Sequence, residues 1–320
     1  MNRKRFLDLL KVVVSLVLIL VILRSVDVKA LWEVVRHASP WYLLLALLAL
    51  LLGVLVRAYR WQILVQDQGV EMSLRELAAL YFVGFLFNNL LPSGFGGDPI
   101  KMYELSRRSK RGADAVSSVL VDRFMGLLAL QAIGLIALGF AWQLVPAEIV
   151  ILTVAVFGAS LLAAWVVSFR RLWDVLARWV PLFDRLLSIK AVDSLVSSLQ
   201  SYSGSALLRS LGVGVVFNVL LVASNILIGV ALGADLPLPY YMIFVPLTSL
   251  VLILPISFAG LGVREGTYVF LFSQAGMAQE VALSLSLLVY ALGTVSPGLV
   301  GGIIYLVRGA RSYGEAKQGL

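Results

Sequence analysis

The chain has 320 residues, 60% of them hydrophobic and 14% charged, with a mean hydropathy of +0.95. Such a composition excludes an ordinary soluble domain and fits a polytopic membrane protein. Cysteine is absent, which excludes disulfides, thiolate metal sites and cysteine nucleophiles. The net charge of +8 sits in short basic loops between apolar runs, a pattern that orients membrane spans and excludes a nucleic-acid partner.

Met1 to Arg5 is basic and leads into an apolar run ending at Leu23. Its length, with Asp8 and Lys11 at the entry, favours an uncleaved first span over a signal peptide. A polar loop follows with Asp27, Lys29, Glu33, Arg36 and His37, and Pro40 opens a second span over 41–56. Residues 57–75 read as a polar connector with Arg57, Arg60 and Trp61. An apolar helix then runs from Leu74 to a break at Pro92, and a charged helix leaves through Lys101, Arg107, Arg108, Lys110 and Arg111. Residues 113–142 and 149–169 are long spans. Over 170–203, apolar residues recur at helical spacing between arginines, which predicts an amphipathic helix pair on the membrane surface, split by Pro181. Residues 206–232 span again, and 235–239 is a Pro-rich turn. Residues 240–254 enter a second break, 262–274 leave it, and 281–307 form the last span before a basic tail.

The expected fold is an all-α polytopic membrane protein forming one domain over residues 1–320. It has about six full transmembrane helices and two re-entrant helical hairpins, with the surface helix pair cytoplasmic. With the N-terminus inside, the basic loops at 57–75, 101–111, 170–190 and 308–317 all fall inside. Both termini are then cytoplasmic, in the plasma (inner) membrane. Three full spans separate the two hairpins. An odd number places the hairpins on opposite faces, so the pseudo-repeats, about 41–168 and 204–308, are inverted.

The two breaks carry one pattern. Leu91-Pro92-Ser93-Gly94-Phe95-Gly96-Gly97 matches Leu254-Pro255-Ile256-Ser257-Phe258-Ala259-Gly260 as L-P-x-x-F-x-G. Gly112 and Gly276 then each precede a long apolar helix. Paired broken segments in two halves of a membrane chain point to a transporter-type binding site.

Charges cluster beside both breaks. Asp98-Pro99 is a strong helix start, and Lys101 lies one turn inside that helix. Asp122 and Arg123 lie nine and ten residues into the span from Ala113. At 1.5 Å per residue that is ~13–15 Å deep. Arg264 and Glu265 follow Gly260-Leu261-Gly262. Charges at membrane depth are costly and are functional candidates by default. Helix N-termini favour anions, so Lys101, Arg123 and Arg264 are expected to converge on a cavity between the hairpins and bind an anionic headgroup. Asp98, Asp122 and Glu265 balance them, with Gly97 and Gly260 at the helix breaks. Asn88 and Asn89 either donate to the headgroup or satisfy the broken helix end.

These motifs resemble the flippase-like transmembrane domain of lysylphosphatidylglycerol synthases (MprF-type proteins) and its stand-alone AglD-like relatives. The resemblance covers about Phe6 to Arg308. It rests on Pro92 to Lys101 (Pro-x-x-x-Gly-Gly-acid-x-x-base), on Asp122-Arg123, and on Gly260 to Glu265 (Gly-x-Gly-x-Arg-Glu). The family usually carries Glu and Arg where this chain has Asp98 and Lys101. The charge signs are kept, although Lys lacks the planar bidentate contact of Arg. The resemblance implies two inverted repeats with re-entrant hairpins, and lipid translocation.

The expected activity is therefore transbilayer movement of an anionic or phosphate-bearing lipid: a phospholipid, an aminoacyl-phospholipid or a polyprenyl-phosphate carrier. No enzymatic activity and no cofactor are expected, and a lipid-synthesis enzyme is a possible partner. The alternatives are a membrane enzyme acting on a lipid phosphate, and a non-catalytic scaffold.

Overall fold

In the computed structural model, residues 28–90, 96–168, 189–252, 257 and 260–318 are described. Among them the chain is helical throughout, with twelve α-helices and no strand. The first, α1 (Val28–Arg36), lies where a polar loop was expected. Apolar residues at 28, 31, 32, 34 and 35 give it one apolar face. Glu33 reaches Arg36 and His37 one turn on, at 4.0 and 3.5 Å.

Helix α2 (Pro40–Asp67) also departs from expectation. The stretch 57–67, read as connector, continues the helix without a break. No Gly or Pro interrupts it between Gly53 and Gly69, and Gly69 has a φ of +70° that ends it. Arg60 and Trp61 are buried on this helix instead of lying in a polar connector.

Helix α3 (Leu74–Leu90) starts on a capping box. The Ser73 hydroxyl accepts from the Glu76 N–H at 3.3 Å, and Glu76 accepts from the Ser73 N–H at 3.0 Å. Bonds from the Ser73 hydroxyl and N–H, then the Arg108 guanidinium, lower the Glu76 carboxyl from 4.5 to about 2. Its folded pKa is depressed, so its stabilising effect is present above pH 4.5 and lost as pH falls through about 2. Glu76 is half-exposed, so the effect is small. Glu76→Gln should lower the melting temperature slightly at pH 7, and the gap from wild type should close as pH falls toward 2, measured by thermal unfolding in detergent across that range. A gap that stays constant with pH would show that charge plays no part in this cap.

Helix α4 (Gly97–Ser109) follows the first break. Gly97 packs on Gly84 so closely that a Cβ would fall on the Gly84 carbonyl, and Arg108 contacts Glu76. The expected tip of the first hairpin, 91–95, lies outside the described residues, as does most of the matching 254–260 stretch.

Long apolar helices follow: α5 (Gly112–Ala141) and α6 (Ala147–Ser168), then α8 (Gly204–Ala231). Between α6 and α8, the described part of the expected surface pair is α7 (Lys190–Gln200); 169–188 lie outside the described residues. Helix α7 packs on α5, where Ser198 donates to Asp114 at 2.8 Å and meets Ser117 at 2.6 Å.

Helix α9 (Leu238–Val251) begins after Pro237 and packs against α10 (Val263–Gln274) through Tyr241 and Phe244 on Phe272. Helix α11 (Gln279–Tyr290) passes through a π-helical turn, Ala291–Val295, into α12 (Ser296–Gln318). Five helical stretches among the described residues are long and apolar enough to cross a membrane: 40–67, 112–144, 147–166, 204–231 and 279–307. The expected span over 6–23 lies outside the described residues.

The helices form two compact units, described separately. The first comprises the described residues of 1–55, 78–98 and 219–320; the second comprises those of 56–77 and 99–218. In the first, α12 lies against α3 through glycines: a Cβ on Gly301 would overlap the Phe82 carbonyl. In the second, Leu64, Val121 and Tyr202 form a buried cluster with Met125, Leu199 and Leu207 against it.

Candidate functional site

In the second unit, a buried ion pair joins α2 to α5. Arg60 Nε donates to Asp122 Oδ1 at 2.7 Å, and both side chains are at least 95% buried. The guanidinium lies in a slot bordered by two glycines. A Cβ on Gly126 would come within 2.6 Å of Arg60 Nη1, and one on Gly214 within 3.6 Å. Asn218 closes the slot, donating to the carbonyls of Gly126 at 3.1 Å and Gly214 at 2.9 Å. The two glycines leave room for the planar guanidinium at this position.

Next to Arg60, the Trp61 Nε1–H donates to Ser118 Oγ at 3.1 Å. Lys101 is buried with its Nζ 5.4 Å from the Trp61 ring centroid, a cation–π contact. Arg57 sits 5.0 Å over the Phe217 ring. The sequence-predicted Lys101 and Asp122 therefore contact neighbouring residues of α2, Trp61 and Arg60 respectively. Arg123, next in sequence to Asp122, is only partly buried. Asp122 pairs with Arg60.

In the first unit, the sequence-predicted Arg264 and Glu265 open α10. Gly260 and Gly262 have φ of +78° and +80°, and this left-handed backbone turns the chain into the helix. Glu265 performs two jobs there. Its Oε2 accepts from the Gly262 N–H at 2.6 Å, capping the helix start, and its Oε1 accepts from Arg264 Nε at 3.1 Å. Both residues are buried. The Arg264 guanidinium also lies 3.9 Å from the Tyr290 ring centroid. The Tyr290 hydroxyl donates to Asn89 Oδ1 at 3.0 Å, and Asn89 Nδ2 donates to the Thr294 carbonyl at 3.1 Å. Asn88 Oδ1 accepts from the Gly97 N–H at 2.7 Å, across the break in the first hairpin. Both asparagines thus bind ends of broken or distorted helices. Asp98 is buried in the first turn of α4, directly after Gly97.

The residues missed by sequence reading are Arg60, Trp61, Asn218 and Tyr290. For Arg60 the signal was present: Arg57, Arg60 and Leu64 repeat at helical spacing with no breaker among them. For Tyr290 no local signal exists, because its partners lie 26 and 201 residues away. Among the described residues no three carboxylate or imidazole side chains gather as a metal site. Each unit thus holds buried cations oriented by an acid or a ring.

A family described as the lysylphosphatidylglycerol synthase TM region matches residues 9–301. A UPF0104 membrane protein of Methanothermobacter thermautotrophicus is 24% identical over 271 residues, covering 78% of this chain and 80% of its own length. Another, from Pyrococcus horikoshii, is 21% identical over 321 residues, covering 93% of this chain and 96% of its own. A third, from Methanocaldococcus jannaschii, is 24% identical over 131 residues, covering 40% of this chain and 39% of its own.

Proposed function

From the premise that this chain belongs to the lysylphosphatidylglycerol synthase transmembrane-region family, we propose that it moves phosphate-bearing lipids between the leaflets of a membrane. The observation that carries the reading is a buried cation within the first two turns of each returning hairpin helix, Lys101 in α4 and Arg264 in α10. A helix start offers free N–H donors and partial positive charge, and the cation adds a full one. A lipid phosphate crossing hydrocarbon must exchange its water for such groups, while its chains remain in lipid. Asp98, Asp122 and Glu265 keep the cations oriented and limit how tightly an anion is held. In this reading the two hairpins are re-entrant, the halves are inverted repeats, and both termini are cytoplasmic. The chain has no nucleotide-binding G-x-x-x-x-G-K-[ST] motif, so transport against a gradient draws on an ion gradient or a partner protein such as a lipid-synthesis enzyme.

The test is movement of labelled anionic phospholipid in vesicles reconstituted with the purified protein. Wild type should move lipid faster than empty vesicles. Arg264→Gln combined with Glu265→Gln keeps the acceptor for the Gly262 N–H and removes both charges, so it should fold yet lose at least ~90% of the rate, about 1.4 kcal/mol of barrier. A folded double variant moving lipid at the wild-type rate would rule this site out.

A further inference from the structure

Tyr290 is not part of the reading above, yet its side chain touches both the end of α3 and the start of α10. Its ring faces Arg264 at 3.9 Å, and its hydroxyl donates to Asn89 at 3.0 Å. Asn89 lies one residue before the last of α3, just ahead of the first break. Arg264 is the second residue of α10, just past the second break. Directly after Tyr290 the helix widens into the π turn, whose Thr294 carbonyl accepts the other end of Asn89 at 3.1 Å. Single π turns carry an extra residue and concentrate at functional sites. Gly298 makes room for the contact: a Cβ there would overlap Asn89 Nδ2 and meet the Phe85 carbonyl at 3.4 Å. Asn89 is therefore held by two residues of one distorted segment, and that same segment presents the ring to Arg264.

We propose that Tyr290 is a positioning residue coupling the end of α3 to Arg264, so that a shift of Asn89 changes the orientation of the guanidinium. The contacts form an unbroken chain. Asn89 fixes the tilt of the phenol through its hydroxyl, and the tilt of the ring fixes the plane on which the guanidinium stacks. Glu265 holds Arg264 from the other side and anchors it to the helix start. A guanidinium clamped between a carboxylate and a ring has few orientations. Releasing the ring gives it more, while the carboxylate keeps it in place. The role of this chain in transport rests on the translocation reading above; the mechanical coupling does not.

The experiment uses the full-length protein and two readouts. The first is amide hydrogen exchange in detergent. Asn89→Ala, which removes the bond to the Tyr290 hydroxyl, should raise exchange over residues 262–267 severalfold while leaving α5 unchanged. Tyr290→Phe keeps the ring and loses the hydroxyl; it should produce the same rise, and the double variant should add nothing further. Unchanged exchange over 262–267 in Asn89→Ala, or additive effects in the double variant, would overturn the coupling. The second readout is labelled anionic phospholipid in reconstituted vesicles. Tyr290→Phe should slow movement severalfold at an unchanged half-saturating lipid fraction. Tyr290→Leu, which also removes the ring, should raise that fraction. Raised exchange with wild-type transport kinetics in both variants would overturn the positioning role. Wild-type protein that moves no lipid would refute the translocation reading alone, and the exchange measurements would still decide the coupling.

Discussion

Asp122→Ala should cost the folded protein about 3–5 kcal/mol, the usual penalty for removing one partner of a buried ion pair. The substitution deletes the carboxylate 2.7 Å from Arg60 Nε and leaves a buried guanidinium without that counter-charge. The slot around Arg60 gives the side chain little room to turn toward water, with Gly126 and Gly214 at its borders and Asn218 across them. Arg60→Met combined with Asp122→Leu should recover most of the loss, since apolar replacements of similar volume are often neutral or better. Denaturant unfolding in detergent measures both. The translocation assay separates stability from function: the double variant should be folded and inactive. If Asp122→Ala were as stable as wild type, water would have to reach the pair, and the dry-slot description would be wrong.

Gly301→Ala should also be damaging, for a different reason. A Cβ at that position would overlap the Phe82 carbonyl, which is backbone and cannot rotate away. Helices α3 and α12 would have to separate, losing packing along the whole seam, including the Phe87–Tyr305 edge contact at 5.7 Å. Overpacking of this kind costs roughly 1–3 kcal/mol, occasionally more. Gly302→Ala is the control, because a Cβ there would meet only the Leu86 Cδ1 at 3.7 Å, ordinary contact. Helix propensity favours alanine at both positions by up to about 1 kcal/mol, so the control should be neutral or stabilised. Melting temperatures of the two variants in one detergent decide the matter. Equal values would mean that the seam is looser than described.

Much of this architecture was legible because breakers mark it. Pro92, Gly96 and Gly97 announce the gap between α3 and α4, and Gly260 with Gly262 announces the start of α10. The charges at those starts, Lys101, Arg264 and Glu265, stand out against apolar surroundings. Arg60 was harder to read. An arginine just past an apolar run reads as part of a connector unless its partner is known, and Asp122 lies 62 residues away. Asp122 itself stood out as a charge at membrane depth. The π turn was invisible, because Ala291–Val295 contains no proline and its distortion is stabilised from outside, by Asn89.

The Arg60–Asp122 pair also constrains how such a chain can change over generations. Either partner replaced alone leaves a buried charge, and the glycine slot rejects the bulk that other side chains would bring to positions 126 and 214. The apolar double replacement, although comparably stable, lies beyond a valley that single substitutions must cross. Descendants of this sequence are therefore held to the pair by the route out of it, whatever selection acts on its function.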